Sequence, residues 1–391
     1  MGRALVAGVG MVKFSKPGAQ EPYPAMASQA IQTALADAGL ALSDVNQAFA
    51  GYCYGGTTCG QRALYEIGKT GIPVINVRNA CATGSSALLL ARQAVKSGAA
   101  DVALAFGFEE MKPGALVSDD FRVSPVDLII ERFNELQYDV DTAFPTPGFF
   151  GAAGREYLER YRADPKIFAE VAVKTRRHAA NNPMALFQKP ITVEEVMQAP
   201  VLYGDFLTRL MACPPTCGAA AAIVVSEAFA DRHGLTRLVE IAGQAMGTDR
   251  EASFENAVNL VGREITERTS RAAYEEAAIG PEDVDVVELH DCFTTNEVIS
   301  YEALGLCGEG EASKFIADGQ NTYGGRVVVN PSGGLMSKGH PLGATGLAQA
   351  TELVQQLRGE AAGRQVEGAR VAVQHNIGMG SAGVVTVYKR R

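Results

Sequence analysis

The sequence repeats part of itself, and this internal repeat limits the possible folds more than any other feature. Asp44 follows a predicted helix, and Cys53 lies nine residues beyond it. Asp283 also follows a predicted helix, and Cys292 lies the same nine residues beyond it. A valine comes directly after each aspartate, so the two segments resemble each other in content as well as in spacing.

A second pair of matching segments follows in the same order along the chain. Ala-Thr-Gly at residues 82–84 begins a predicted helix that ends at Gly98, and Ala-Thr-Gly at 344–346 begins one that ends at Gly359. We therefore predict two similar halves, each with a helix whose N-terminus faces a common centre. A site between the halves would place a nucleophile of one half beside acid–base groups of the other.

Apolar runs typical of strands alternate along the chain with amphipathic stretches typical of helices. The predicted strands are Ala4–Val9, Val74–Val77, Val102–Phe106, Ala221–Val225, Val284–Leu289, Val327–Val329, Val371–Gln374 and Val384–Tyr388. The predicted helices are Met26–Ala38, Ser85–Lys96, Ile167–Ala180, Ser270–Ala278 and Leu347–Leu357. This alternation predicts an α/β fold.

Composition excludes several classes of function. The chain has 391 residues, of which 47% are hydrophobic, and a formal net charge of −9. That charge argues against nucleic-acid binding, which depends on clustered Lys and Arg. No apolar run approaches the roughly 18 residues that cross a bilayer, and the run from Ala4 to Val12 is read as a buried strand and not as a signal peptide. We expect a cytoplasmic protein.

The seven cysteines are an odd number in a large chain without a secretory signal, so we expect free thiols and no disulfide framework. None of them forms a C-x-x-C pair, and we expect no structural zinc site.

Cys81 is the first candidate for chemistry. It lies in Asn-Ala-Cys-Ala-Thr-Gly-Ser-Ser at residues 79–86, between a predicted strand and the start of the next helix. Backbone N–H groups and the helix dipole at such a position favour a thiolate, so we expect a lowered pKa. A small buried core thiol explains the local sequence equally well.

His290 and Cys292 are the second candidate pair, at the end of a predicted strand. Residues two apart on an extended segment face the same way, so both side chains should enter one space while Asp291 points away. The pair has too few companions for a convincing metal site, and acid–base chemistry is the better interpretation.

Two further histidines lie in motifs with glycine. His340 precedes Pro341 in a Gly-rich loop that enters a helix, and His375 lies in His-Asn-Ile-Gly, whose backbone N–H groups near Gly378 could bind an oxyanion. A loop histidine taken alone is more often a surface residue. The remaining two, His178 and His233, lie in polar surroundings and are assigned to the solvated surface.

Together these motifs resemble the four catalytic blocks of the thiolase superfamily, in the variant of the sterol-carrier-protein type. The blocks are residues 79–86, His-Asp-Cys-Phe at 290–293, Gly-His-Pro at 339–341 and His-Asn-Ile-Gly at 375–378. The similarity extends over nearly the whole chain, including residues 149–156, 321–325 and 330–334.

The resemblance implies a five-layered α-β-α-β-α fold with two pseudo-symmetric halves and an inserted loop domain. The implied domains are residues 1–111 with 216–235 for the N-terminal half, 112–215 for the substrate-covering loop domain and 236–391 for the C-terminal half. It also implies a homodimer or dimer of dimers, without the lipid-carrier module that follows this unit in some relatives.

The chain departs from the family pattern at two places. Ordinary thiolases have Asn-Glu-x-Phe where this chain has 290–293, and Cys-x-Gly where it has 375–377, so the second cysteine has moved to Cys292. Cys217 replaces an aspartate that is usual in relatives. We expect a local structural change there, or a thiol that reaches the ligand channel.

The implied mechanism is a two-step acyl transfer between acyl-CoA and CoA, which are substrates, and no cofactor or metal is expected. Cys81, activated by His340, forms the acyl-enzyme, and Cys292 is the acid and base. His290 and His340 stabilise the enolate, and the backbone of Cys81 and Gly378 holds the oxyanion. His375 orients Cys292 or contacts the acyl group.

Three alternatives remain open. A retro-aldolase of the same fold would cleave branched or steroid side-chain 3-hydroxyacyl-CoA, often with an OB-fold partner, but such enzymes tend to lose the residue equivalent to Cys81. A ketosynthase acting on carrier-protein thioesters lacks the block at 290–293. A non-catalytic acyl-CoA-binding scaffold would not need Cys81, Cys292 and His340.

Overall fold

The computed structural model describes residues 2–113, 124, 126–141 and 144–391. Twelve strands occur in these residues. They are β1 (Ala4–Met11), β2 (Gln47–Gly51), β3 (Val74–Val77), β4 (Val102–Glu109), β5 (Val201–Tyr203), β6 (Leu207–Thr208), β7 (Gly218–Ser226), β8 (Val239–Gly247), β9 (Val286–Glu288), β10 (Val328–Val329), β11 (Val371–Gly378) and β12 (Ala382–Arg390).

Thirteen α-helices occur in the same described ranges. They are α1 (Tyr23–Ala38), α2 (Cys59–Leu64), α3 (Thr83–Lys96), α4 (Asp127–Glu135), α5 (Pro145–Tyr161), α6 (Lys166–Ala179), α7 (Val193–Met197), α8 (Glu227–His233), α9 (Ala257–Leu260), α10 (Arg263–Ala277), α11 (Thr294–Ala303), α12 (Ala312–Ala317) and α13 (Thr345–Arg358).

Ten strands pair side by side in the order β10-β9-β11-β12-β8-β1-β7-β4-β2-β3. The order is symmetric about the contact between β8 and β1. On one side β2 is parallel to β3 and β4, and β7 is antiparallel to β4 and β1. On the other side β9 is parallel to β10 and β11, and β12 is antiparallel to β11 and β8. The predicted two similar halves are therefore present.

The two halves stack into layers. They are joined by a short antiparallel contact in which Leu5 pairs with Glu240 and Val6 with Val239. Helices α3 and α13 pack against each other, and α13 contacts the strands of both halves. Helix α1 covers the outer face of the first half, and α10 covers that of the second. The expected α-β-α-β-α architecture is confirmed.

The internal repeat coincides with equivalent structural elements. Asp44 and Asp283 each end a 3₁₀ turn before β2 and β9, and the two Ala-Thr-Gly segments begin α3 and α13. Some elements were not predicted from the sequence. The pattern of apolar residues did not predict strands β2 and β8. Helix α10 begins at Arg263, seven residues before the predicted start at Ser270, because its first turns are mostly charged.

The segment between β4 and β7 contains helices α4 to α7 and the hairpin of β5 and β6. Helix α5 contacts α9 and α11, and α6 contacts α11, so this segment packs on the C-terminal half. It corresponds to the predicted loop domain at 112–215, part of which lies outside the described residues. The three domain boundaries remain predictions.

Two expectations from composition agree with the structure. All seven cysteines are free thiols. None of the helices in the described part of the chain combines the length and the apolar character that a membrane crossing needs.

Candidate active site

The candidate site lies at the carboxyl ends of the parallel strands of both halves. Cys81 follows β3, His290 follows β9, and His340 precedes α13. The Sγ of Cys81 and one ring nitrogen of each histidine lie within 4.8 Å of one another. The fold therefore brings together three of the residues predicted from sequence, one from the first half and two from the second.

Cys81 is held on a tight turn. Ala80, directly before it, has a φ of 44°, a left-handed conformation that is uncommon outside glycine. The Cys81 side chain is partly exposed, whereas Ala82 behind it is buried. The turn thus projects the thiol into the site from the start of α3.

The expectation of a lowered pKa at Cys81 is wrong. Surrounding protein atoms displace most of the water around the thiol and so raise its pKa, and the neighbouring Cys213 and Glu109 add to the effect. The backbone N–H groups of Cys81 and Met379 act in the opposite direction but are outweighed. Cys81 is therefore a protonated thiol at rest, and it needs a base when it reacts.

His340 is arranged as that base. Its Nδ1 lies 2.7 Å from the hydroxyl of Thr345, and this hydroxyl donates its own proton to the carbonyl of Pro341 at 2.9 Å. Both hydrogen bonds form together only when the ring carries its proton on Nδ1, which leaves a lone pair on Nε2. That Nε2 is buried and has no hydrogen-bond partner among the described residues. Burial lowers the pKa of His340 to about 3, so the ring is neutral.

The backbone of His340 is also fixed. Its N–H donates to the hydroxyl of Thr216 at 2.6 Å, and a β-bridge joins it to Pro215. The segment directly before β7 therefore positions the base.

His290 faces His340 edge to face, with ring centroids 5.1 Å apart. Its Nδ1 lies 3.3 Å from the side-chain amide of Asn376, and its carbonyl accepts a hydrogen bond from Asn296 at 2.5 Å. Burial, together with the neighbouring His340 and His375, lowers the pKa of His290 well below its ordinary value. Both histidines next to Cys81 are thus neutral.

Cys292 is nearly fully buried, and its carbonyl accepts a hydrogen bond from the N–H of Cys213 at 2.8 Å. Burial raises its pKa well above the ordinary value, and the thiols of Cys213 and Cys81 raise it further. Cys292 therefore lies near the nucleophile as a protonated thiol, and it is accompanied by a third cysteine that the sequence did not single out.

His375 lies behind His290. It is in β11 and fully buried, with Nε2 2.9 Å from the hydroxyl of Thr266 and Nδ1 3.5 Å from the backbone N–H of His290. These contacts support His290 from behind. The expected contact with Cys292 or the acyl group is not among its hydrogen bonds to described residues.

Gly378 follows His375 at the end of β11, next to the Cys81 turn. A Cβ at this position would overlap the carbonyl oxygen of Asn79, so only glycine allows the two backbones to approach so closely. The N–H that approaches the Cys81 sulfur belongs to the next residue, Met379. The oxyanion donors we expect are therefore the N–H groups of Cys81 and of the 378–379 pair.

Two residues outside the mechanism behave as predicted. Asp291 points away from the site and accepts hydrogen bonds from the N–H groups of Leu335 and Met336 at 2.7 and 3.3 Å. Exposed His233 lies at the end of α8, as expected of a surface residue.

His178 was expected on the surface, and Cys217 was expected to make a local structural change or to reach the ligand channel. His178 is not on the surface but buried, with Nδ1 3.1 Å from the carbonyl of Asn330 and Nε2 2.8 Å from Thr322, and burial lowers its pKa to about 3. Cys217 is fully buried and bonds to the backbone of Met111, so it supports the strand edge locally and does not open toward a ligand.

Several residues that shape the site were missed from sequence. Asn376 and Thr345 lie inside the recognised motifs, and their polar side chains beside histidines were the available signal. Thr216, Cys213 and Glu109 come from other elements and gave no local signal.

The site combines a nucleophilic thiol, a second thiol and two neutral imidazoles. Such a set suits transfer of an acyl group through a thioester on the protein. Cys81, His290 and His340 are also spaced so that they could hold a metal ion. The expectation that no metal is used stays a prediction.

Comparison with known proteins agrees with this class. The sequence matches the family description "Thiolase, N-terminal domain" over residues 6–203 and "Thiolase C-terminal domain-like" over residues 233–390. The chain belongs to the thiolase family.

Three relatives illustrate the range of the family. Sterol carrier protein 2 of Gallus gallus is 52% identical over 99% of this chain and 71% of its own length. The benzoylsuccinyl-CoA thiolase subunit BbsB of Thauera aromatica is 36% identical over 97% of this chain and 95% of its own. An acetyl-CoA acetyltransferase of Methanothermobacter thermautotrophicus is 34% identical over 98% of both chains.

Two solved structures share the fold. The Ltp2-ChsH2(DUF35) aldolase has a TM-score of 0.83 at 25% identity, over 100% of this chain and 98% of that one. Human mitochondrial 3-ketoacyl-CoA thiolase has a TM-score of 0.75 at 16% identity, over 99% of both chains.

Proposed function

We propose that the protein is an acyl-CoA thiolase that cleaves 3-oxoacyl-CoA with CoA, or forms it by the reverse condensation, through an acyl-enzyme on Cys81. The single observation that carries the proposal is neutral His340, which has a ring nitrogen within 4.8 Å of the Cys81 thiol and an Nε2 without a hydrogen-bond partner among the described residues. A thiol that is protonated at rest can react only if such a base accepts its proton during attack.

The first step forms the acyl-enzyme. The Cys81 proton passes to Nε2 of His340 while the sulfur attacks the 3-oxo carbon of the substrate. The resulting oxyanion accepts hydrogen bonds from the N–H groups of Cys81 and Met379, which already face the sulfur. The bond between C2 and C3 then breaks, its electron pair moves into a thioester enolate, and the C3 carbonyl re-forms on Cys81.

The second thiol completes the reaction. Cys292 donates its proton to the enolate carbon, which gives acetyl-CoA and a Cys292 thiolate, while the shortened acyl group stays on Cys81. Incoming CoA gives its thiol proton to Cys292 and attacks the acyl group, and Cys81 leaves and recovers its proton from His340. The raised pKa of Cys292 supports this role, because a weakly acidic thiol is a strong base once ionised.

A retro-aldolase is the second candidate, supported by the likeness to the Ltp2-ChsH2(DUF35) aldolase. Cleavage of a 3-hydroxyacyl-CoA needs a base but no covalent acyl intermediate. The Cys81 turn, with its left-handed Ala80 and converging N–H groups, favours the thiolase, because an aldolase has no use for a positioned nucleophile.

Two partners are part of the proposal. A second copy of the chain would pair with edge strand β3, where Ile75 is 38% exposed. A small OB-fold protein would be a further component, since the related Ltp2-ChsH2(DUF35) aldolase has two components and the Thauera relative is a thiolase subunit. We propose a cytoplasmic location.

The experiment that tests the proposal compares two substrate classes on the purified protein. We expect CoA-dependent release of acetyl-CoA from acetoacetyl-CoA or a longer 3-oxoacyl-CoA, and no aldehyde or ketone from the corresponding 3-hydroxyacyl-CoA. Carbonyl release from the 3-hydroxy substrate without added CoA would favour the aldolase instead. Failure with both classes would favour a binding scaffold.

A further inference from the structure

A buried chain of hydrogen bonds runs from the C-terminal strand to His290, and its direction can be derived. The chain begins at Gln374 in β11, whose Nε2 lies 2.7 Å from the carbonyl of Gly346. A carbonyl only accepts, so this nitrogen is correctly placed as the donor. The Tyr388 hydroxyl donates to the other end of the Gln374 amide at 2.5 Å, which agrees with the same orientation.

Ser85 connects Gln374 to Asn376 and fixes which end of the Asn376 amide faces His290. The Gln374 nitrogen also donates to the Ser85 hydroxyl at 2.8 Å, and this hydroxyl lies 2.6 Å from Oδ1 of Asn376. The Ser85 hydroxyl therefore accepts a hydrogen bond from Gln374 and donates its one proton to Oδ1 of Asn376. The remaining end of the Asn376 amide, Nδ2, then faces Nδ1 of His290 at 3.3 Å. An amide nitrogen can only donate, so Nδ1 of His290 must be the acceptor.

We propose that Ser85 and Asn376 are positioning residues that hold neutral His290 with its proton on Nε2, as a hydrogen-bond donor toward the reacting thioester. This inference rests on the proposed function only for the identity of the reacting group. Thr345 holds His340 in the opposite form, with the proton on Nδ1 and the lone pair on Nε2. Two neighbouring imidazoles thus receive different roles, one as donor and one as base.

The burial of the hydrogen-bonded side chains supports the proposed tautomer of His290. Ser85, Gln374, Asn376 and Tyr388 are each no more than 1% exposed, so solvent cannot replace a lost hydrogen bond. Burial also lowers the pKa of His290 well below its ordinary value. The ring consequently stays neutral, and its tautomer is decided by the Asn376 amide.

The chain of hydrogen bonds crosses between the two halves and explains part of the internal repeat. Ser85 belongs to α3 of the first half, and Asn376 belongs to β11 of the second. Gly346, in the second Ala-Thr-Gly segment, lies against both. A Cβ on Gly346 would overlap the Ser85 hydroxyl and lie 2.7 Å from Oδ1 of Asn376. The missing side chain at 346 therefore leaves the space in which these two polar groups meet.

The test reads the tautomers directly, without reference to activity. In magic-angle-spinning NMR of protein labelled with ¹³C,¹⁵N-histidine, the protonated and bare ring nitrogens are resolved, and His290→Gln identifies the His290 signals among the five histidines. We expect the Nε2–H form at His290. Asn376→Asp replaces the donor with an acceptor of the same shape, and we expect His290 to change to the Nδ1–H form.

Activity provides the second readout. In Asn376→Asp, His290 loses its Nε2–H donor. This loss should lower kcat on the order of 10²-fold, the usual effect of removing one oxyanion donor. Ser85→Ala, which removes only the constraint on the amide, should lower kcat less. Asn46→Asp and Ser270→Ala are the controls, because the hydrogen bonds of these side chains to described residues all go to backbone groups away from the site. Both should keep the wild-type tautomers and kcat.

The outcomes separate this inference from the proposed function. A bare Nε2 at His290 in the wild type, or a tautomer unchanged by Asn376→Asp, overturns the inference even if the protein is an active thiolase. The expected tautomer change in a protein without thiolase turnover supports the inference and refutes the proposed function.

Discussion

Thr345→Val is the sharpest test of the base assigned to His340. The valine side chain has nearly the same shape as threonine but cannot accept the hydrogen bond that the Nδ1–H of His340 now donates over 2.7 Å. A buried donor without a partner costs about 1–3 kcal/mol. Both the reactive tautomer and the imidazolium formed during attack need this N–H, so the cost falls on the acylation step.

The expected effect follows from that energy. A loss of about 1–3 kcal/mol corresponds to a rate about 5- to 150-fold lower for acylation of Cys81, with little change in substrate binding. The assay is single-turnover formation of the acyl-enzyme at saturating thioester, followed by rapid quenching and intact-protein mass spectrometry.

Thr351→Val is the matched control on the same helix. The Thr351 hydroxyl donates to the carbonyl of Leu347 at 2.9 Å, just as the Thr345 hydroxyl donates to that of Pro341, and both threonines are buried. We expect the control to acylate at the wild-type rate. Equal rates in Thr345→Val and wild type, or equal losses in both variants, would refute the assignment.

Three further predictions concern stability and assembly. Gly107→Ala would drive a Cβ into the carbonyl of Gly343, and we expect denaturant titrations to show a loss of about 1–3 kcal/mol in the free energy of unfolding. Gly56→Ala, which has open space around it, should leave the free energy of unfolding unchanged. Equal unfolding midpoints in the two variants would contradict the close packing at Gly107. Burial raises the pKa of Glu109 from 4.5 to about 7, so its contribution to stability is present below pH 4.5 and lost as pH rises through 7. Glu109→Gln should therefore remove a decline of about 3 kcal/mol in the free energy of unfolding over that window, and an unchanged pH slope rejects the assignment. Ile75→Lys should disrupt the proposed pairing of two copies through β3 and shift sedimentation from dimer to monomer, and an unaltered mass would contradict an interface at β3.

The fold was predictable because its signals are local. The Ala-Thr-Gly segments mark the starts of α3 and α13, and apolar runs mark most strands. Strand β2 was missed because its Ala- and Gly-rich sequence has little β-propensity, and β8 because it interrupts its apolar residues with Glu240 and Gln244.

The site was predictable in its membership but not in its electrostatics. Cys81, His290 and His340 were identified from their motifs, and the structure brings them together. The helix start at Cys81 suggested a lowered pKa, but burial by distant elements has the larger effect. His178 was misplaced for the same reason, since its neighbour Asn330 lies 152 residues away in sequence.

The most direct test of the central claim is intact-protein mass spectrometry after brief exposure to acetoacetyl-CoA, with wild type and Cys81→Ala compared. We predict an acetyl adduct that maps to Cys81, disappears when CoA is added and is not formed by Cys81→Ala. Turnover of acetoacetyl-CoA by Cys81→Ala at the wild-type rate, or an adduct that maps to Cys292 or Cys213, would contradict it.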